Sequence, residues 1–297
     1  MKKSLLWVVV LLLSISMIAA FSFVGCKAEE APTAEEEAEE EESGGEVEGE
    51  VVEEEPAPQI VVTYIGSAGF ILESQNKKIM IDAPFNSSFI SAFEAIPGYA
   101  EGIESKIANA EVPFDDIDLF LMTHEHEDHL DPQLLGQCFS KNLDAKLVTT
   151  QGVYDILEDK VDNFADLKDR IIVNELGSYE SIETTIDGFN LKVSDAEHAG
   201  LMHVHNFEFN LDGIEIAYIR EQNKYEKTKD IDILFLNTLI NLLEPKHIFL
   251  CHIFDRNTRP SMLEQTQDLP DVTFMTEPME TATVTKENDE IIVTINQ

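Results

Sequence analysis

Six consecutive positions, His124-Glu125-His126-Glu127-Asp128-His129, hold three histidines and three acids directly after the apolar run at 119–122. On an extended segment His124 and His126, two apart, face the same way. Asp128 and His129 follow a bend and face a neighbouring point. Neutral imidazole and carboxylate suit zinc, and also iron or manganese. The competing reading is a charge-rich surface turn. Against that reading, the cluster closes a buried strand, the kind of strand end where ligands converge in α/β sheets.

The elements that must position the cluster follow from periodicity. The segment "IVVTYIG" (60–66), then 69–74 and 77–82, reads as an antiparallel meander. Residues 84–113 are mixed, with helical stretches and Pro97-Gly98 as punctuation. The apolar segment 116–123 is a buried strand running into the histidines. Asp131 followed by Pro132 starts a helix, as a capping side chain and a proline at the first helical position. A strand at 146–150, helical spacing over 152–169 and a strand in "RIIVNEL" follow. From 179 to 219 the chain alternates like successive strands, with a hairpin at Asp212-Gly213, a pair suited to a type I′ turn. "DILFLN", a helical piece near 237–244 and "HIFLCH" form strand–helix–strand, and "DEIIVTIN" adds a final strand. Strands first, then alternating strands and helices, twice over, predict two sheets face to face with helices outside.

The cluster "THEHEDH" matches the H-x-H-x-D-H motif and resembles the metallo-β-lactamase fold superfamily. "KKIMIDAP" resembles that family's first motif, whose acid is here Asp82 in a supporting place. "DAEHAG" resembles the later histidine motif, here His198, and "HIFLCH" resembles the last, here His252. "YIGSAGFILES" is similar to the ascorbate-phosphate lactonase-like branch, which often has Gly-His-Ala-Gly there; Ser67 stands in place of that histidine. The resemblance implies an α/β fold, an αββα sandwich of two mixed β-sheets with helices on the outer faces. It implies a pair of zinc ions, one on His124, His126 and His198, the other on Asp128, His129 and His252. The family's bridging Asp aligns with Glu221, inside Arg220-Glu221-Gln222. Glu221 is therefore expected to approach the metals, and Arg220, one residue earlier on a strand, to point away from them.

Zinc lowers the pKa of a bound water to about 7 and so supplies hydroxide at neutral pH. The expected activity is hydrolysis of an ester, lactone, amide or phosphoester in a small-molecule substrate, with Asp128 orienting the nucleophile. The alternative is a metal-binding or sensing lipoprotein whose catalysis has lapsed, which Arg220-Glu221-Gln222 favours. Other residues carry plainer expectations: His203 and His205 as strand-edge histidines with ordinary hydrogen bonds, His247 as a residue starting a strand, Cys138 and Cys251 as free buried thiols. Phe85, Phe89 and Phe93 recur at helical spacing, a core pattern.

Three zones divide the 297 residues. Residues 1–26 open with Lys2-Lys3, continue as an apolar run and end in "FVGC", which resembles the lipobox of bacterial lipoproteins. That resemblance implies cleavage before Cys26 and lipidation of Cys26; an uncleaved anchor over 4–25 is the alternative. Residues 27–58 carry 15 Glu against one Lys and no aromatic residue, so they form a disordered acidic tether. Residues 59–297 are the folded unit. With a net charge of −38, nucleic acid is excluded as a partner. The expected location is extracytoplasmic, on a membrane through the lipid.

Overall fold

The computed structural model describes residues 57–82, 99–198, 202–221, 229–236, 243–251 and 271–296, with isolated positions between 261 and 269. The expected signal segment, most of the tether, the three phenylalanines and His252 lie outside the described residues. No helix among the described residues is long and apolar enough to cross a membrane.

The chain opens with the meander: β1 (Gln59–Gly66), β2 (Gly69–Glu73) and β3 (Lys78–Ile81), successive pairs antiparallel. Helix α1 (Tyr99–Asn109) precedes β4 (Leu119–Leu121), the strand that delivers the histidines. That strand is shorter than the apolar run suggests, and Asp116, with a φ of +50°, lies in a turn rather than in the strand. Helix α2 (Pro132–Lys141) starts where Asp131 accepts from the backbone of Gln133 and Leu134. Then come β5 (Lys146–Thr149), α3 (Gln151–Lys160), α4 (Phe164–Leu167) and β6 (Ile171–Val173). The helical spacing over 152–169 is thus broken at Val161, whose N–H caps α3.

The second half begins with β7 (Ser181–Ile186), β8 (Phe189–His198), β9 (Met202–Leu211) and β10 (Ile214–Tyr218). The β9–β10 turn has φ of +46° at Asp212 and +93° at Gly213, the pair of positive values a type I′ turn requires. Strands β11 (Ile233–Leu236), β12 (His247–Leu250), β13 (Val272–Phe274), β14 (Thr281–Glu287) and β15 (Glu290–Asn296) complete the set. Periodicity did not announce β13 and β14, whose residues are mixed polar and half-buried.

The strands form two mixed sheets, ordered β15-β14-β1-β2-β3-β4-β5-β6 and β13-β12-β11-β10-β9-β8-β7. In the first, β3 to β6 are parallel neighbours; in the second, β10 to β13 are. Alternation along each strand builds the layers. Leu119 and Leu121 enter the core between the sheets with Phe207, Phe235 and Phe249. Phe120 faces outward and joins Leu135, Phe139 and Val153 of the helices. Leu234, Leu236 and Leu250 form an outer layer on the second sheet with Leu243. These two faced sheets with helices outside are the αββα sandwich.

Inside it, Phe235 stacks against Phe249 with ring centroids 5.2 Å apart, and Tyr218 stacks on Phe235 at 5.9 Å. Such pairs add roughly 1 kcal/mol each beyond their burial. From this fully buried ladder the Tyr218 hydroxyl reaches Asp82, the residue after β3.

Candidate metal centre

Asp82 closes β3 in the left-handed region, φ +48°, and is fully buried. An isolated carboxylate there costs several kcal/mol unless hydrogen bonds satisfy it. Four donors converge on it. Thr123 donates its backbone N–H and its hydroxyl, both at 2.9 Å. His129 donates from Nδ1 at 2.7 Å, and the Tyr218 hydroxyl stands 3.0 Å away while also reaching the Ala68 carbonyl. Asp82 thus supports the cluster from beneath, by hydrogen bonds to its neighbours.

Thr123, which the sequence did not single out, sets the chemistry of His124. Its hydroxyl proton goes to Asp82, so Oγ1 accepts from His124 Nδ1 at 2.9 Å. That fixes the proton of His124 on Nδ1 and leaves the Nε2 lone pair outward. Burial, then the charges of His129, Arg220, His126 and His198, hold the His124 imidazole far below its usual range, in the neutral form that binds metal. Burial also lowers His126, against the opposing charge of Asp128. After His126 the chain turns: His129 and Leu130 both donate to the His126 carbonyl. The bend swings Asp128 to 3.4 Å from His129 Nε2.

His198 arrives from the end of β8 in the other sheet. One ligand atom each from His124, His126 and His198 lie within 4.8 Å of one another. The donor set fits a metal ion. Tetrahedral ligand nitrogens about 2.1 Å from zinc are about 3.4 Å apart, and His124 Nε2 and His126 Nδ1 are 3.0 Å apart. The three rings surround one point, with His124 and His126 ring centroids 5.3 and 5.1 Å from that of His198.

Glu221 stands three residues past the end of β10 and comes to the site, with Oε1 2.7 Å from His198 Nδ1. A carboxylate on the remote nitrogen of a ligating histidine orients the ring and raises its basicity. Asn206 fixes the backbone there, accepting from the N–H of Arg220 at 2.8 Å and donating to the Glu221 carbonyl at 2.9 Å. Arg220 corrects the strand-alternation argument. It is buried, and its charge is one of those acting on His124 and on Cys251. The regular strand ends at Tyr218, so alternation no longer governs residue 220. Its Nε and Nη1 have no hydrogen-bond partner.

Among the remaining residues, Ser67 is buried at the left-handed turn between β1 and β2. Cys138 and Cys251 are free and buried, and burial pushes both thiols up to about 12. His247 is buried against Thr273 at 2.9 Å. His203 bonds Asp195 at 3.0 Å, an ordinary pairing. His205 is no edge residue: it is fully enclosed, and its Nδ1 has no partner.

Fold and site together define a sandwich built to present histidines at its strand ends. The chain belongs to the beta-lactamase superfamily domain family, whose model matches residues 61–240. Among solved structures it is similar to a protein of Parabacteroides distasonis suggested to be a metal-dependent hydrolase, at 18% identity over 74% of this chain and 94% of that one, TM-score 0.48. It is also similar to Igni18, a metallo hydrolase of Ignicoccus hospitalis, at 16% identity over 76% and 98%, TM-score 0.46. A third is CmlA, a diiron β-hydroxylase of Streptomyces venezuelae, at 14% identity over 78% of this chain and 55% of that one, TM-score 0.47. No curated protein sequence matches the chain.

Proposed function

We propose that this protein is a metal-dependent hydrolase acting on a small ester, lactone, amide or phosphoester, and that one zinc ion on His124, His126 and His198 is its resident metal. The observation that carries this reading is the convergence of three imidazole nitrogens within 4.8 Å at the strand ends. A divalent ion there supplies a Lewis acid and lowers the pKa of water. The chain's own residues supply the rest. Thr123 and Asp82 hold His124 in the ligating tautomer. Glu221 orients His198, a role that does not require it to bridge two ions. Asp128, beside His129, orients the nucleophile and accepts its proton. Arg220 places a fixed positive charge near His124, which opposes a second cation and supports one ion over the family's pair.

A second reading, a metal sensor with lapsed catalysis, is favoured by the same Arg220-Glu221 pair. We further propose that Lys2-Lys3, the apolar run and "FVGC" export the chain and anchor it to a membrane through lipidated Cys26, outside the cytoplasm.

Metal analysis of the purified full chain tests the centre, followed by a hydrolase substrate panel with and without chelator. One equivalent of zinc and chelator-sensitive turnover are expected. A His124→Ala, His126→Ala double variant that keeps wild-type metal content overturns the assignment. Bound metal without turnover on any member of the panel moves the reading to the sensor. An intact Met1 in the mass spectrum of the mature chain refutes the anchor.

A further inference from the structure

On the far side of the histidine segment lies a cavity of about 320 Å³. Its walls include Glu125, Thr150, Gly152, Asn174, Asp195 and His205. Glu125 comes from between two of the metal-binding histidines. Its carboxyl carbon lies 2.6 Å from where a Cβ on Gly152 would stand, so the missing side chain of Gly152 is what lets it in.

Three buried polar atoms in this wall have no hydrogen-bond partner: Asn174 Nδ2, Asp195 Oδ1 and His205 Nδ1. Asp195 and His205 are 3% and 1% exposed, so bulk water does not explain them. Each such atom costs roughly 1–3 kcal/mol when left unsatisfied. Their chemistry is specific. His205 bonds the backbone of Asn174, a contact that favours its protonated form and therefore uses a ring N–H. With that proton on Nε2, the orphaned Nδ1 is an acceptor. The Asp195 carboxylate meets His203 through Oδ2 and also the Tyr179 backbone, while Oδ1 has no hydrogen-bond partner and remains an acceptor. Asn174 Nδ2 is a donor. Glu125 and Glu175 add carboxylates, and no Lys or Arg lines the cavity among the described residues. At about 30 Å³ per water, the volume is roughly tenfold more than one structural water needs.

We propose that this cavity binds a small primary ammonium compound that also carries hydroxyl groups, such as an amino alcohol or amino sugar. The ammonium donates to Asp195 Oδ1 and His205 Nδ1, and a ligand oxygen accepts from Asn174 Nδ2. Burial raises the Asp195 carboxyl above its usual range despite His203, and a cationic ligand offsets that cost. The proposal does not depend on the metal centre.

Calorimetry of the full chain at physiological salt tests it, with glucosamine as the probe and glucose as the neutral control. Glucosamine is expected to bind one to one with a Kd of about 1 mM or tighter, and glucose at least about tenfold more weakly. Asp195→Asn should weaken glucosamine roughly ten- to hundredfold. In case that variant does not fold, the wild type carries a second readout: the ¹⁵N resonance of His205 Nδ1 should move with glucosamine, with or without chelator. Equal binding of glucose and glucosamine overturns the proposal. So does an unmoved His205 resonance, which means that ordered water alone fills the cavity or that amines bind only to the acidic surface.

Discussion

Two polar clusters flank the segment 123–126, and they are finished differently. Around Asp82 four donors converge on one carboxylate, and Thr123 passes the order on to His124. Across the segment, Asn174, Asp195 and His205 face a cavity with atoms left unpaired. The backbone ties the two together, because His205 donates its N–H to the Thr123 carbonyl at 2.9 Å. A closed network holds its members in one geometry, and removing any member strands the others. An open one carries a cost that a ligand or water removes. The first serves positioning and the second serves recognition.

The sharpest way to break this comparison is to remove one group from each side. Asp82→Asn keeps the shape and tolerates the left-handed backbone, as Asn does. It should still destabilise the fold by about 3 kcal/mol, because Thr123, His129 and Tyr218 lose a charged acceptor. Urea denaturation measures the loss, and metal content should fall with it. Asn174→Ala removes a buried donor that has no partner, so it should not destabilise the fold and should raise stability by about 1 kcal/mol. Equal losses would erase the distinction.

Acid should act through the open side and through His247. Burial lowers both His205 and His247 to about 4, from 6.5 in an exposed histidine. Between these values the unfolded chain takes up protons that the folded chain refuses. Their contribution is therefore complete above pH 6.5 and is lost as pH falls toward about 4. Each loss is at most about 3 kcal/mol. His205→Gln and His247→Gln should each flatten part of the stability profile in that window, read by denaturation at fixed pH.

A smaller effect separates the roles of Glu221. If Glu221 orients His198, Glu221→Gln should weaken metal binding roughly tenfold and leave the stoichiometry unchanged. A bridging carboxylate would instead cost an ion, which metal analysis of the variant detects. The smallest effect belongs to Gly152→Ala. Its new methyl displaces the flexible end of Glu125, while the helix gains Ala for Gly, so stability should move by less than about 1 kcal/mol. Glucosamine affinity should fall as the cavity narrows, and unchanged affinity would remove Glu125 from the binding wall.

The sequence by itself determined the meander, the Asp131 cap, the Asp212-Gly213 turn and the histidine motif. Each rests on local rules: strand alternation, a capping oxygen, a turn that needs two positive φ values. The extended-then-bent course of 123–129 was legible for the same reason, since motif and turn lie in one short stretch. Tertiary structure alone decided what these residues meet. Thr123 and Tyr218 carry no sequence signal as site residues, because their role depends on Asp82 arriving from 41 and 136 positions away. Arg220 escaped alternation because β10 ends two residues before it. The cavity of Asn174, Asp195 and His205 was invisible for a deeper reason. Whether a buried polar atom has a partner is a property of the packing between strands, and no spacing along the chain records it.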